Sequence, residues 1–336
     1  MIIVLLAAFV YACQKNVDTP VFGFKKPGHF PEPAYHLSTN QLTKQGFELG
    51  RKLFYDGILS RDNTISCGSC HIQTSAFTHH GHEVSHGIDD RLGTRNAPPI
   101  MNLAWNTSFM WDGGVVDLDL QPLAPISNHV EMDETIQHVV EKLNASSEYP
   151  SLFKSAFGES RITTAAFLKA LSQFMVMCVS SGSKYDSVKA NLGSKFTLDE
   201  EEGYNLFISK CSSCHAEPLF TDFSFRNNGI GAGIINDSGR YAITLNPGDL
   251  YKFKVPSLRN LAYTGPFMHD GRFVNLDEVL DHYSSGVQQS ASLDPLLQQN
   301  GQMGIALTSD EKNKIKAFLA TLNDRNFLLD KKLSEQ

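Results

Sequence analysis

Long apolar runs are missing from this 336-residue chain. A membrane-spanning helix needs roughly 20 consecutive apolar residues, and the run at residues 2–10 (IIVLLAAFV) has nine. No other segment could cross a bilayer. An excess of positive charge is missing too: 29 Lys and Arg stand against 36 Asp and Glu, for a formal net charge of −7, with no dense basic run. That argues against nucleic acid as a partner. Alternating strand patterns are scarce. The composition, 41% hydrophobic and 19% charged, excludes disordered and collagen-like classes. At roughly 150 residues per domain, the length suggests two domains.

A short apolar run at the N-terminus reads as the core of a signal peptide. It leads into Val10-Tyr11-Ala12-Cys13, which resembles a bacterial lipoprotein box with Cys13 as the lipidated residue. Cleavage at a small-residue site without lipidation fits the same run. Residues 1–20 are therefore expected to be an export segment. The mature protein is expected to be periplasmic and soluble, tethered at most by a lipid anchor at Cys13.

Cysteine and histidine are present in informative numbers, six and twelve. In an exported chain, six cysteines ordinarily suggest disulfides. Four of them instead form two identical patterns, Cys67-Gly-Ser-Cys70-His71 and Cys211-Ser-Ser-Cys214-His215. C-x-x-C-H is the signature of covalent haem c attachment: two thiols form thioethers to the haem vinyl groups, and the adjacent imidazole reaches the iron. A redox dithiol, a zinc site and a disulfide are the competing readings, and the doubled pattern disfavours all three. Two covalent haem c groups are expected.

The two motifs lie 144 residues apart, and the segments before them look alike. Ser38-Thr-Asn-Gln41 reads as a capping box opening a helix through Leu49, Leu53 and Phe54. Thr197-Leu-Asp-Glu200 opens a second through Tyr204, Leu206 and Phe207. Leu49-Gly-Arg-Lys-Leu-Phe54 pairs with Glu202-Gly-Tyr-Asn-Leu-Phe207 as a weak internal repeat. Further helical faces run through Phe167, Leu171, Phe174, Met175 and Cys178, and through Ile315, Phe318, Leu319 and Leu322 behind a capping box at Thr308. The expected fold is all-α: two c-type cytochrome domains, 21–190 and 191–336, with long haem-wrapping loops. The boundary is expected in the Gly/Ser/Lys-rich stretch from Ser180 to Lys195. Cys178, on an apolar face, reads as a buried structural thiol.

Beyond the two motifs, the chain resembles the bacterial dihaem cytochrome c peroxidases and their relative MauG, which oxidises a partner protein. The likeness runs from about Leu49 to Leu322. It rests on LGRKLFYDGILSRDNTISCGSCH (49–71), GTRNAPP (93–99), WDGG (111–114), NHVEM (128–132), SKCSSCH (209–215) and TGPFMHDGRF (264–273). The resemblance implies a peroxidatic N-terminal haem and a C-terminal haem that accepts electrons. Glu131 and Gln121 match the distal-pocket carboxylate and its amide companion, and Trp111 the tryptophan between the haems. His86 matches a distal histidine that ligates the resting peroxidatic iron and must leave before peroxide binds. Asn96, Thr264 and Pro266 match the positions that hold a calcium ion, one through its side chain and two through carbonyls. Arg272 suits a haem propionate.

The sixth ligand of the C-terminal haem departs from the peroxidase pattern. Fourteen residues after His269 the chain has Tyr283, as in the MauG-like branch, where peroxidases have methionine. Leu276, Val279, Leu280 and Tyr283 share one helical face behind Asn275 as cap, which favours Tyr283. Met268 is the nearby alternative and Met303 a remote one. His79, His80 and His82 read as a solvated loop, and Trp105 as packing. The resemblance implies reduction of hydrogen peroxide with electrons from a small cytochrome or similar donor. A MauG-like oxidase and a dihaem electron carrier are the rivals. Monomer and homodimer both stay open.

Overall fold

The computed structural model describes residues 22–233, 235–299 and 301–336; the export segment and Cys13 lie outside them. The described chain is mostly helical. Its helices are α1 (Lys44–Tyr55), α2 (Cys67–Cys70), α3 (Leu123–Ser127), α4 (Ile136–Ala145), α5 (Tyr149–Phe157) and α6 (Thr164–Val176). They continue with α7 (Lys184–Lys189), α8 (Leu198–Lys210), α9 (Tyr241–Thr244), α10 (Leu276–Asp281), α11 (Ser309–Ala320) and α12 (Arg325–Leu328). The strands among the described residues are two-residue pieces: β1 (Phe225–Arg226) pairs antiparallel with β2 (Phe253–Lys254), and β3 (Gln298–Gln299) with β4 (Gln302–Met303).

The internal repeat has a packing reason. α1 lies along α6, and α8 lies along α11. A Cβ on Gly50 would sit 1.9 Å from the Ala170 carbonyl, and one on Gly203 would sit 1.9 Å from that of Lys314. Only glycine lets these backbones cross so closely. One turn further on, Phe54 and Phe207 enter their cores at 1% and 0% exposure. Phe54 packs with Phe77, Phe153 and Phe174; Phe207 packs with Tyr185, Phe220 and Phe318. Replacing such a ring by alanine costs roughly 3–5 kcal/mol. Cys178 is fully buried in the first cluster, as the sequence suggests, and Trp105 is core there, its indole N–H donating to the Pro31 carbonyl at 2.8 Å.

One expectation needs correction, and one stretch carries more structure than its composition suggests. The capping box at Ser38 does not form: α1 starts six residues later, with Thr43 as N-cap accepting from Gly46 N. Asn40 is instead buried as a tie, donating to the Tyr35 hydroxyl and the Lys169 carbonyl. The Ser180–Lys195 stretch is not a plain linker, because α7 forms inside it behind a Ser183–Asp186 capping box. Tyr185 on that helix belongs to the second cluster.

Asp186 also explains why α7 is held. It receives both guanidinium arms of Arg259, at 2.8 and 2.9 Å, and His29 at 2.8 Å. Arg259 is wholly buried. Breaking a buried pair from one side typically costs 3–5 kcal/mol because a charge stays behind uncompensated. Asp186→Asn should therefore lower the stability of the haem-loaded protein by about 3 kcal/mol, read as a shifted urea midpoint with unchanged slope. An unmoved midpoint would show that Arg259 finds its counter-charge elsewhere.

Candidate haem and distal sites

The second C-x-x-C-H motif follows α8 directly, the first is separated from α1 by residues 56–66 and its cysteines bound α2, and in both the histidine is fixed from behind. The His71 Nδ1 lies 2.7 Å from the Phe77 carbonyl. The His215 Nδ1 lies 3.1 and 3.2 Å from the carbonyls of Phe220 and Pro256. A carbonyl only accepts, so Nδ1 must carry the proton in both rings, and Nε2 keeps its lone pair. Burial lowers the basicity of both, which keeps them neutral. A neutral imidazole with its second nitrogen locked is what a metal-ligating histidine requires.

The four motif cysteines are free thiols. Burial pushes Cys67 up to about 12, Cys70 up to about 11 and Cys211 up to about 12. A redox dithiol needs the opposite, a thiol made acidic. Among the described residues no group of three or more His, Cys, Asp or Glu is arranged to hold a metal ion. The residues fit two covalent haem c groups.

Around the first motif, two of the expected distal residues, His86 and Glu131, come from segments that are bonded together. The Cys70 thiol donates to the His86 carbonyl at 3.2 Å. Two residues on, Ile88 N donates to the Glu131 carbonyl at 2.8 Å, joining the His86 loop to the Glu131 segment. The Glu131 carboxyl accepts from Ser85 Oγ at 3.4 Å, and burial raises it above the ordinary glutamate range despite that bond. Gln121 ends a 3-10 turn just before α3, its amide donating to Met110 Sδ at 3.7 Å.

The loop histidines differ from expectation. His80 and His82 are exposed, but His79 is buried at 8% exposure and its Nδ1 has no hydrogen-bond partner. Its ring stacks on His82 at 4.2 Å, and His82 Nδ1 meets His86 Nε2 at 3.2 Å. Burial first, and the neighbouring histidines second, push His79 down to about 4. Alternation of His79 with the exposed His80 is the signal that could have placed one ring inside.

The seam between the two haem motifs is built on Trp111 and Asn96. The Trp111 indole donates to the Asn96 carbonyl at 2.9 Å, and Asn96 N donates to the His269 carbonyl at 2.7 Å. Lys254 N donates to the Trp111 carbonyl at 2.7 Å. The Asn96 amide binds the carbonyls of His82 and Glu83. Thr264 is buried, as is Pro266 behind a cis Gly265–Pro266 bond. His269 stacks on Phe253 at 3.7 Å. Arg272 is not a free fork, because its guanidinium closes on Asp270 and on the Ile230 carbonyl.

At the second motif, Tyr283 and Met268 meet the same neighbour. Asn228 donates to Met268 Sδ at 3.5 Å, and its amide lies near enough to Tyr283 to favour the ionised phenol. Burial pushes Tyr283 up to about 12, with Cys214 and Cys211 close enough to contribute. The expected continuous helical face is interrupted: α10 ends at Asp281, and residues His282–Gly286 form a π-turn. His282 Nε2 donates to the Asn228 carbonyl at 3.0 Å, and the Ser-Ser-Gly run after Tyr283 is a poor helix former. Met303 is exposed on β4.

Against known proteins, the family profile described as di-haem cytochrome c peroxidase matches residues 44–195. The methylamine utilization protein MauG of Methylorubrum extorquens is 35% identical over 320 residues, spanning 93% of this chain and 86% of its own length. The cytochrome c551 peroxidase of Nitrosomonas europaea is 35% identical over 280 residues, 82% of this chain and 79% of its own. A solved MauG-like protein associated with microbial copper homeostasis superimposes with a TM-score of 0.82 at 32% identity, covering 93% of this chain and 99% of that one. The chain therefore belongs to the family of di-haem cytochrome c peroxidases and MauG. Membership implies two c-type haems.

The seam also carries a buried charge. Lys254 Nζ donates to the Ser108 carbonyl at 2.7 Å, and burial pushes it down to about 8 against a raising contribution from Asp112. A lysine whose folded pKa is depressed binds its proton less well than in the unfolded chain. Stability should then rise with pH from about 8 towards the free-lysine value near 10.4, by on the order of 3 kcal/mol. Lys254→Met should flatten that rise relative to wild type in urea titrations across this window. Parallel profiles for the two proteins would place the charge in a solvated setting.

Proposed function

We propose that this chain is an exported di-haem peroxidase that reduces hydrogen peroxide to water with electrons from a small cytochrome or similar donor protein. Two haem c domains would divide the work. The observation that carries the reading is Glu131: a half-buried carboxyl of raised pKa, joined by one backbone bond to the loop that contacts Cys70. A bound haem supplies an iron on which the O–O bond is cleaved and through which single electrons are stored. The chain must then manage two protons. Glu131 would take a proton from the peroxide and return it to the leaving oxygen, with Gln121 orienting the substrate. A non-catalytic electron carrier has no use for such a group.

Trp111 supports electron passage between the halves, held by its indole bond to Asn96 and its carbonyl bond to Lys254. His86 would gate the peroxidatic iron. A calcium ion would take the Asn96 side chain with the carbonyls of Thr264 and Pro266. Export through the N-terminal segment, with or without lipid at Cys13, completes the proposal.

The acid–base role fixes the test. Glu131→Gln should keep both haems and lose roughly 10²–10⁴-fold in peroxide turnover. The ionised form is the base, so wild-type kcat/KM should fall as pH drops through a value above that of free glutamate, and the variant should lose that limb. Wild-type turnover in the variant would remove Glu131 from the mechanism.

Tyr283 favours a second reading, oxidation of a partner protein as in MauG. A tyrosinate stabilises oxidised iron, whereas methionine raises the potential. On this reading Tyr283→Phe should shift the spectrum and potential of the C-terminal haem, and Met268→Leu should leave both nearly unchanged. A near-infrared methionine-to-iron band lost in Met268→Leu would return weight to the plain peroxidase.

A further inference from the structure

Behind His215 lies a cluster that the reactions above do not use. Phe220, whose carbonyl holds His215, packs edge-on against Tyr185 with ring centroids 4.8 Å apart. Tyr185 is 2% exposed, and its hydroxyl donates to Glu217 through a short hydrogen bond. The same carboxylate accepts from the Tyr204 hydroxyl at 3.0 Å. Tyr204 is half-buried and reaches Lys189, whose ammonium donates to its oxygen at 2.6 Å and lies 3.4 Å from Glu217. Arg259, paired with Asp186 and bonded to the Pro218 carbonyl, fixes the floor of the cluster. Two tyrosines sharing one carboxylate therefore run from the His215 support outward to a lysine at the surface.

Pure packing does not ask for this chemistry, since phenylalanine would fill the same space without needing a buried acceptor. A phenol loses an electron readily only if its proton can leave at the same time. Burial and Glu217 together hold the Tyr185 proton on its oxygen in the resting protein. The shared carboxylate is then the acceptor that oxidation requires.

We infer that Tyr185, Glu217 and Tyr204 form a proton-coupled electron relay between the surface at Lys189 and the haem attached at Cys211 and Cys214. The inference rests on the peroxide-driven reading above, since hydrogen peroxide is the oxidant that withdraws the electron. Tyr185 gives one electron towards the haem side and its hydroxyl proton to Glu217, becoming a neutral tyrosyl. Tyr204 then reduces Tyr185. Glu217 returns the first proton to Tyr185 and accepts that of Tyr204. An external one-electron donor at the Lys189 face restores Tyr204, whose proton comes back from Glu217. The net result is one electron moved inward, with every proton back in place.

The test uses the haem-loaded full chain, mixed with hydrogen peroxide without donor and freeze-quenched for EPR. A narrow organic-radical signal is expected, and it should sharpen when ring-deuterated tyrosine is incorporated, which separates it from a tryptophan radical at Trp111. Tyr185→Phe and Glu217→Gln should lose the tyrosyl signal while keeping both haem absorption bands. Tyr204→Phe, at a half-buried site and so less demanding of the fold, should retain the signal at Tyr185 but slow its decay on adding donor. Peroxide consumed at the normal rate with no tyrosine-derived signal, or a signal unchanged in all three variants, overturns the relay alone. Failure to consume peroxide overturns the function proposed above, and the relay with it.

Discussion

A hydrogen bond from an imidazole Nδ1 to a backbone carbonyl, made once at His71 and again at His215, decides what this chain can hold. Each bond removes one of two tautomers and fixes the ring plane. The helix before each motif depends on a single glycine, because only there does the crossing helix come close enough to bury Phe54 or Phe207 behind the histidine. Glycine, aromatic ring and imidazole act in series. The step from glycine to phenylalanine, the same in both repeats, follows from that packing.

From this shared frame the two halves diverge chemically. The first places a half-buried carboxyl, Glu131, and a histidine-rich loop beside its motif. The second places a phenol and a thioether around one amide, Asn228, which donates to Met268 and lies close to Tyr283. One side has groups whose chemistry suits moving protons, the other groups whose chemistry suits holding an iron. Dividing a two-electron reduction between them is consistent with that asymmetry.

The parts legible in the sequence were those with short-range rules. The haem motifs, the caps at Thr197, Asn275 and Thr308, and the apolar face of α6 depend on neighbours within one or two turns. What escaped depends on distant partners. Ser38 obeys the capping pattern, but Asn40 is claimed by Lys169 far along the chain. The Ser180–Lys195 stretch has linker composition, but Asp186 is claimed by Arg259. His79 looks like one more loop histidine until its neighbours bury it. At Tyr283 periodicity found the residue but not the geometry, because a bond between His282 and Asn228 widens the last turn.

The seam explains why Trp111 should be stiff rather than mobile. Its indole nitrogen and its carbonyl are both engaged, and the partners come from separate segments, Asn96 before it and Lys254 far after it. Asn96 is in turn tied to His269, which stacks on Phe253, the strand neighbour of Lys254. The result is a closed loop of contacts, so displacing the indole would strain four segments at once. Arg95 adds to this by binding Asp112 and Asp237 from opposite sides of the seam, at 2.6 Å each. Electron passage through a side chain depends steeply on contact distance but needs no movement. A seam over-determined in this way suits the electron passage proposed for Trp111, whereas the exposed rings and the unpartnered His79 nitrogen leave the His79–His86 loop the freer segment to rearrange.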